Sequence, residues 1–500
     1  MEFHYGTHQL TPDVVKKIVQ GKIYAIVDES TRDRVEKSFK STQSLLVSEK
    51  PVYAINTGFG SLCTTKISPE DGKKIQKNLL LSHSVGVGDP ITSELTKIIL
   101  ILKLQALCKG YSGISLNIIK RIEWHVNNDI LPRIPEQGSV GASGDLCPLS
   151  HCFLPLIGHG ELTEDGGTSY YPTSDILKKY NQNPMVLQAK EGLALNNGTQ
   201  FMAAHGVLIV DRLKNCISHA NLTASLSIEA YLASIKPMDA RIHQIRPHPG
   251  AISVAEFIRE TLNDSGFQKY HQNCDRVQDP YSFRCIPQVH GAVVDALAHF
   301  EEILVREINA VTDNPIIFSD SDSVSGGNFH GEPIALPMDY VGLAASELGN
   351  IADRRIYLLL HGYNELPKYL IDNPGINSGF MIAQYCTAAL VSENKSICYP
   401  ASADSIPTSL GQEDHVSMGS ISARKTLCII ENLEKIIGIE LLCAIQAMDF
   451  RPELRSSESI EKIRECVRQQ IPFITEDTEL YPHIEKAIEI IRKRELLSFL

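Results

Sequence analysis

Residues 138–151 read "GSVGASGDLCPLSH", which places Gly138, Gly141 and Gly144 three residues apart with only Ser, Val and Ala between them. The surrounding chain consists largely of long amphipathic patterns, so this glycine stretch needs a reason. A phosphate-cradling loop would require G-x-x-x-x-G-K-[ST], and no Lys follows Gly144; a dinucleotide fingerprint would require G-x-G-x-x-G, which this spacing is not. A plain turn is the ordinary reading of a Gly/Ser cluster. Backbone cyclisation is the other. If the amide nitrogen of Gly144 attacks the carbonyl carbon of Ala142, a five-membered ring closes around Ser143. Loss of two waters then leaves a methylidene-imidazolone whose exocyclic carbon was Ser143 Cβ. Gly144 offers an unhindered nitrogen, Ala142 is small, and Ser143 carries a hydroxyl to eliminate. The product is a strong electrophile, which no ordinary side chain supplies.

The 500 residues exceed what one core usually organises, so two or three domains or one large helical body are expected. A hydrophobic content of 43% against 21% charged is that of a globular chain, and the formal charge of −12 excludes a nucleic-acid partner because no basic tract replaces phosphate counterions. "MEFHYGTHQLTPDVVKK" lacks the basic and apolar regions of a signal peptide. "IILILKLQALCK" is interrupted by Lys103 and falls short of the roughly 18 apolar residues of a membrane span. The twelve scattered cysteines read as buried thiols of a reducing compartment. A soluble, cytoplasmic protein with a small-molecule partner and no membrane is the expectation.

Residues 51–66 mix aromatics with Gly and Thr and read as strand or loop. "SPEDGKKIQKNLLLSH" opens as a helix, with Ser68 to cap, Pro69 in the first turn, and Glu70 and Asp71 at the positive end of the dipole. Helical spacing follows over 92–108 and 115–128, and "NDILPRIPEQGS" ends it with prolines. From Asn197 to Ile235 there is no proline, and apolar residues recur every three or four positions; similar patterns return at 288–312, 338–361, 380–394 and 418–448. The reading is a mainly α protein. A loop-rich N-terminal domain, 1–196, precedes a body of long, roughly parallel helices, 197–500, that associates into a multi-subunit bundle. Polar inserts at 274–291, 312–333 and 398–419 are where site residues would sit.

The glycine stretch resembles the signature of the aromatic amino-acid ammonia-lyases. The resemblance covers nearly the whole chain, with "YAINTGFG", "LLLSHSVGVG", "EGLALNNGTQ", "QDPYSFRCIPQVHG", "TDNP", "SGGNFHGEP" and "DSIPTSLGQEDHVSMG" in family order. It implies that Ala142, Ser143 and Gly144 form the 4-methylidene-imidazol-5-one group with no external cofactor and no metal, and that Asp145 supports the loop. It also implies that Tyr53 is the base removing a substrate β-proton, a phenol with an ordinary pKa of ~10 that needs donors to stabilise its phenolate. Tyr281 is expected in catalysis, and Asn197, Gln278, Arg284 and Phe329 in substrate binding. Arg284 suits the substrate carboxylate because its planar fork binds two oxygens.

His83 and Glu413 bear on the substrate. A buried carboxylate needs a polar partner, which an imidazole supplies and a phenyl ring does not. Retention of both implies L-histidine, converted to trans-urocanate and ammonia, as the first step of histidine degradation. The chain departs from the family pattern at Cys147 and Tyr399. Blander roles stand beside these: packing for Tyr53 and Phe329, and a helix-entry carboxylate for Glu413. Cys147, His151, Cys152 and "RPHPG" show no four-ligand zinc spacing. A lyase or aminomutase of the same fold acting on tyrosine or phenylalanine is the near alternative. A non-catalytic helical scaffold with an ordinary "ASG" loop is the distant one. The resemblance further implies a homotetramer whose sites draw loops from three subunits.

Overall fold

The longest helical patterns are realised as the helices Gln200–Tyr231, Ile286–Glu307, Glu332–Leu360 and Gly419–Asp449, of 32, 22, 29 and 31 residues. They are far longer than the ~11–12 residue average. The computed structural model describes residues 2–48, 52, 55–58, 67, 69–272 and 276–500. The expected cap at Ser68, and most of the strand or loop expected over 51–66, lie outside the described residues. The helices expected over 92–108 and 115–128 are Ser93–Leu107 and Leu116–Asn128. Thr92 caps the former by accepting from Leu95 N at 3.3 Å. Every residue of that helix from Leu95 to Leu107 is buried, as an apolar helix without a polar face must be. No helix among the described residues is long and apolar enough to cross a membrane.

The chain forms two compact units, and they are interleaved along the sequence where the sequence reading placed one cut after residue 196. The first comprises Met1–Leu208, Glu301–Asp339 and Pro400–Arg424. It holds all the short strands among the described residues: a parallel pair Glu2–His4 with Tyr24–Ile26, and antiparallel pairings elsewhere, of which Val87–Pro90 with Pro135–Gln137 flanks the glycine stretch. The two later segments return the "TDNP", "SGGNFHGEP" and "QEDH" loops to the unit that contains Ala142–Gly144.

The second unit, Ile209–Phe300, Tyr340–Tyr399 and Lys425–Leu500, consists of helices and their connecting loops, with no strand among its described residues. One buried carboxylate ties its long helices. Glu440 accepts from Thr223 Oγ1 at 2.8 Å, Ser227 Oγ at 3.0 Å and Arg355 Nη2 at 3.0 Å. Both charged side chains are fully buried, so their mutual bonds must offset their desolvation. His290 lies 3.3 Å from the same guanidinium, and its other ring nitrogen is bonded to Asn221 Oδ1 at 2.7 Å.

Candidate active site

The glycine stretch is a turn with Ser143 at its apex. Ser143 adopts φ +51, the left-handed region that a residue with a Cβ enters at a cost, while Gly144 sits at φ +81 and donates its N–H to Gly141 O at 3.3 Å. A neighbouring backbone segment comes close enough to explain the glycines. A Cβ on Gly144 would stand 2.1 Å from Gly198 O, and one on Gly141 would stand 2.3 Å from Ser417 Oγ. Instead, Asp145 N donates to Gly198 O at 2.7 Å and Gly198 N donates to Ser143 O at 3.2 Å. Asn197 Nδ2 adds a second donor to Ser143 O at 3.0 Å. From the other side, Met418 N donates to Val140 O and Ser420 Oγ to Ser139 O, at 3.0 and 2.7 Å.

Asp145 follows the turn and is fully buried. Its carboxyl accepts from Met202 N at 3.0 Å and Ser139 Oγ at 3.4 Å, so it joins the turn to the first residues of helix Gln200–Tyr231. Burial pushes its pKa up to about 7, against the pull of those donors. Lys103 is 1% exposed, and its ammonium donates to Asn197 O at 2.7 Å and Gln200 Oε1 at 3.4 Å. Burial presses its pKa down to about 7, with the charge of Asp313 acting in the other direction.

Ala142 and Ser143 open onto a cavity of about 490 Å³ that Asn197, Phe329 and Glu413 also line, together with Asn314, His330, Asp414 and His415. That size suits a small organic molecule. Asn197 Oδ1 is buried and has no partner. Glu413 is half-buried and accepts from Thr408 Oγ1 at 2.9 Å. Its charge acts on His83, whose imidazole burial holds below the ordinary histidine range while Glu413 raises it. Five of the residues singled out in the sequence therefore share one cavity, with Gly144 adjoining in the chain and His83 within the field of Glu413.

The remaining ones lie elsewhere. Gln278 and Arg284 line a cavity of about 370 Å³ in the second unit. Tyr281 is 71% exposed there, with the Arg284 guanidinium 4.8 Å from its ring. Arg284 Nε is buried and partnerless. Tyr53 lies outside the described residues. Tyr399 is exposed and does not line the 490 Å³ cavity. Cys147 is buried beneath Gly138, and His151 Nε2 accepts from Gly86 N at 3.0 Å, so both pack the turn.

Sequence reasoning passed over Lys103, Gln200, His330 and His415. Lys103 carried a signal, since a charge inside an apolar helix costs stability unless something nearby uses it. His330 and His415 stack with ring centroids 5.5 Å apart and join two loops of the cavity wall. Chemically, the turn brings together what a cyclised Ala142-Ser143-Gly144 group requires: an apex serine, an unhindered Gly144 nitrogen and donors aimed at the Ser143 carbonyl. The residues present fit the group.

Known proteins share this arrangement of chain. The family profile described as aromatic amino acid lyase matches residues 10–469. The chain is 44% identical over 487 residues to a histidine ammonia-lyase of Natranaerobius thermophilus, covering 97% of this chain and 96% of that protein. It is 41% identical over 495 residues to the histidine ammonia-lyase of Photorhabdus laumondii, covering 98% and 96%. Among solved structures, histidine ammonia-lyase from Trypanosoma cruzi superposes with a TM-score of 0.91 at 39% identity, covering 100% of this chain and 95% of that one. Tyrosine aminomutase from Streptomyces globisporus gives 0.93 at 34% identity, covering 100% and 98%. With the family profile spanning most of its length and these relatives matched nearly end to end, the chain belongs to the aromatic amino acid lyase family.

Proposed function

We propose that this chain is an ammonia-lyase that converts L-histidine to trans-urocanate and ammonia, opening histidine degradation in the cytoplasm. The observation that carries the reading is the shared cavity: Ser143 and Glu413 line it together, with His83 in the field of the Glu413 carboxylate. The full-length relatives of 41–44% identity named as histidine ammonia-lyases support the substrate. Residues Ala142, Ser143 and Gly144 would carry the methylidene-imidazolone group, which supplies an electrophile strong enough to turn the substrate's amine into a leaving group.

The chain's own side chains do the rest. Asn197 holds the Ser143 carbonyl through Nδ2 and offers its unpartnered Oδ1 to a donor such as the substrate ammonium. Glu413 accepts from the substrate imidazole, a bond that a phenyl or phenol ring cannot reproduce and whose absence leaves the carboxylate unpaired. Phe329 forms an apolar wall. Tyr53 takes the β-proton. Arg284 pairs with the substrate carboxylate through two parallel N–H donors, with Gln278 and Tyr281 beside it.

Gln278, Tyr281 and Arg284 belong to the second unit, where Gln278 and Arg284 line a cavity of that unit and Tyr281 stacks on Arg284, which supports their delivery by neighbouring copies. The proposed assembly is a homotetramer in which long helices of several copies form a bundle and each site is completed by loops of three subunits. The unpaired state of the described cysteines suits a reducing compartment.

Mass spectrometry of the peptide containing Ser143 tests the electrophile: the mass should fall short of the encoded peptide by two waters, and an intact peptide refutes the lyase reading. Incubation with L-histidine should release a conjugated, ultraviolet-absorbing product. Product from L-tyrosine and none from L-histidine would transfer the assignment to a tyrosine-directed enzyme of the same fold.

A further inference from the structure

We propose that Lys103 is a positioning residue of this reaction, acting through the Asn197–Gly198 peptide on the carbonyl of Ser143. The inference rests on the functional reading above. Burying an ammonium costs several kcal/mol unless its bonds compensate. The other fully buried lysine of this region, Lys190, is compensated by an ion pair with Asp313 at 2.7 Å. Lys103 has no carboxylate within ion-pair distance among the described residues, and its ammonium bonds to two neutral oxygens, Asn197 O at 2.7 Å and Gln200 Oε1 at 3.4 Å.

The first of those oxygens has a specific consequence. Asn197 C=O and Gly198 N–H are the two ends of one peptide group. Lys103 donates to its oxygen, and its N–H donates to Ser143 O at 3.2 Å. A cation at the oxygen draws electron density through the conjugated amide and makes the N–H a stronger donor. Gln200 Nε2 in turn donates to Thr312 Oγ1 at 2.7 Å, so the second bond of Lys103 anchors a side chain that is itself fixed. In the ring expected from Ala142-Ser143-Gly144, the Ser143 carbonyl is conjugated with the carbon derived from Ser143 Cβ. Pull on that oxygen is felt at the carbon under attack, in a buried place where charge–dipole effects are strong. Lys103 itself touches neither substrate nor Ser143.

The test uses the full-length protein and the variants Lys103→Gln, Lys103→Met and Lys103→Arg. The fraction of loop peptide lacking two waters is measured by mass spectrometry, and kcat is expressed per dehydrated loop, which removes the effect of incomplete maturation. Lys103→Gln and Lys103→Met should lower kcat per dehydrated loop by at least about ten-fold, below the 10²–10³ of a directly bonded donor, with KM within about three-fold. Lys103→Arg, which keeps the charge, should recover most of the loss. If Lys103→Met fails to fold by circular dichroism, Lys103→Gln, which retains a donor for Asn197 O, decides by the same readouts. A Lys103→Gln protein with the wild-type kcat per dehydrated loop overturns this inference alone. A wild-type loop of full encoded mass overturns the functional reading and this inference with it.

Discussion

Asn197 Nδ2 donates to the carbonyl oxygen of Ser143 at 3.0 Å, while the Oδ1 of the same amide is buried with no partner. One end of this side chain is committed to the turn and the other is held ready. Asn197→Ala should therefore lower kcat for L-histidine by about 10²–10³, the usual cost of losing one donor to a site of developing charge. Steady-state assays of the purified variant check this, and a kcat within about three-fold of wild type would remove Asn197 from the mechanism.

Gly144 and Gly198 admit no side chain. A Cβ on Gly198, at φ +124, would lie 2.6 Å from Gln200 Oε1 and 2.8 Å from Thr312 Oγ1, and one on Gly144 would lie 2.1 Å from Gly198 O. The Gly144→Ala and Gly198→Ala proteins should separate the two backbone segments and leave the Ser143 peptide at its full encoded mass. Quantitative loss of two waters in either variant would show that the close approach is not needed for cyclisation.

The pair Lys190–Asp313 is a stability determinant. Its side chains are 0% and 4% exposed, and Ser112 completes both charges, accepting from Lys190 Nζ at 2.7 Å through its carbonyl and donating to Asp313 Oδ1 at 3.1 Å through its hydroxyl. Removing one partner strands the other, so Lys190→Met or Asp313→Asn should cost about 3–5 kcal/mol in urea unfolding. The double variant Lys190→Met/Asp313→Leu should recover part of that loss. A single-variant cost below about 1 kcal/mol would show that water reaches the pair.

Substrate choice should reside in Glu413 and its neighbour His83. Glu413→Gln is expected to reduce kcat/KM for L-histidine by at least about ten-fold, the lower range for a lost charged hydrogen bond, and to leave the rate with L-tyrosine unchanged or higher. Equal losses with both amino acids would mean that Glu413 supports the loop through Thr408 rather than reading the ring.

Acid should destabilise the protein through buried imidazoles. Burial presses the pKa values of His125 and His205 down to about 4, while Nδ1 of each bonds a backbone carbonyl, Ile130 O at 2.7 Å and Phe201 O at 2.9 Å. In the unfolded chain each titrates near 6.5. Between about pH 6.5 and 4 the unfolded state therefore binds protons that the folded state refuses. Their stabilisation is complete above that window and is lost as pH falls through it, by up to about 3 kcal/mol each. Unfolding free energies measured from pH 7 to 4.5 should fall, and His205→Gln should flatten the slope; an unaltered slope would show that His205 does not couple to the fold.

Much of the architecture was legible locally. The patterns at 288–312, 338–361, 380–394 and 418–448 correspond to helices Ile286–Glu307, Glu332–Leu360, Met381–Ile397 and Gly419–Asp449. The reason is that helical amphipathicity joins residues three and four apart, which any short window contains. The apex position of Ser143 was likewise readable, because glycines on both sides mark a bend.

Local residue patterns specify the long helices, the turn at Gly141–Gly144 and, through motif resemblance, the chemistry expected there. Which of those motifs meet depends on how the folded chain packs. That packing returned 301–339 and 400–424 to the unit holding Ser143, assigned "QDPYSFR" to the other unit, and made Lys103 a neighbour of Asn197. Hydrophobic periodicity is summed over neighbouring residues and survives without the fold. The partner of a buried charge is set by chain segments some hundred residues distant, whose approach depends on the packing of the whole unit.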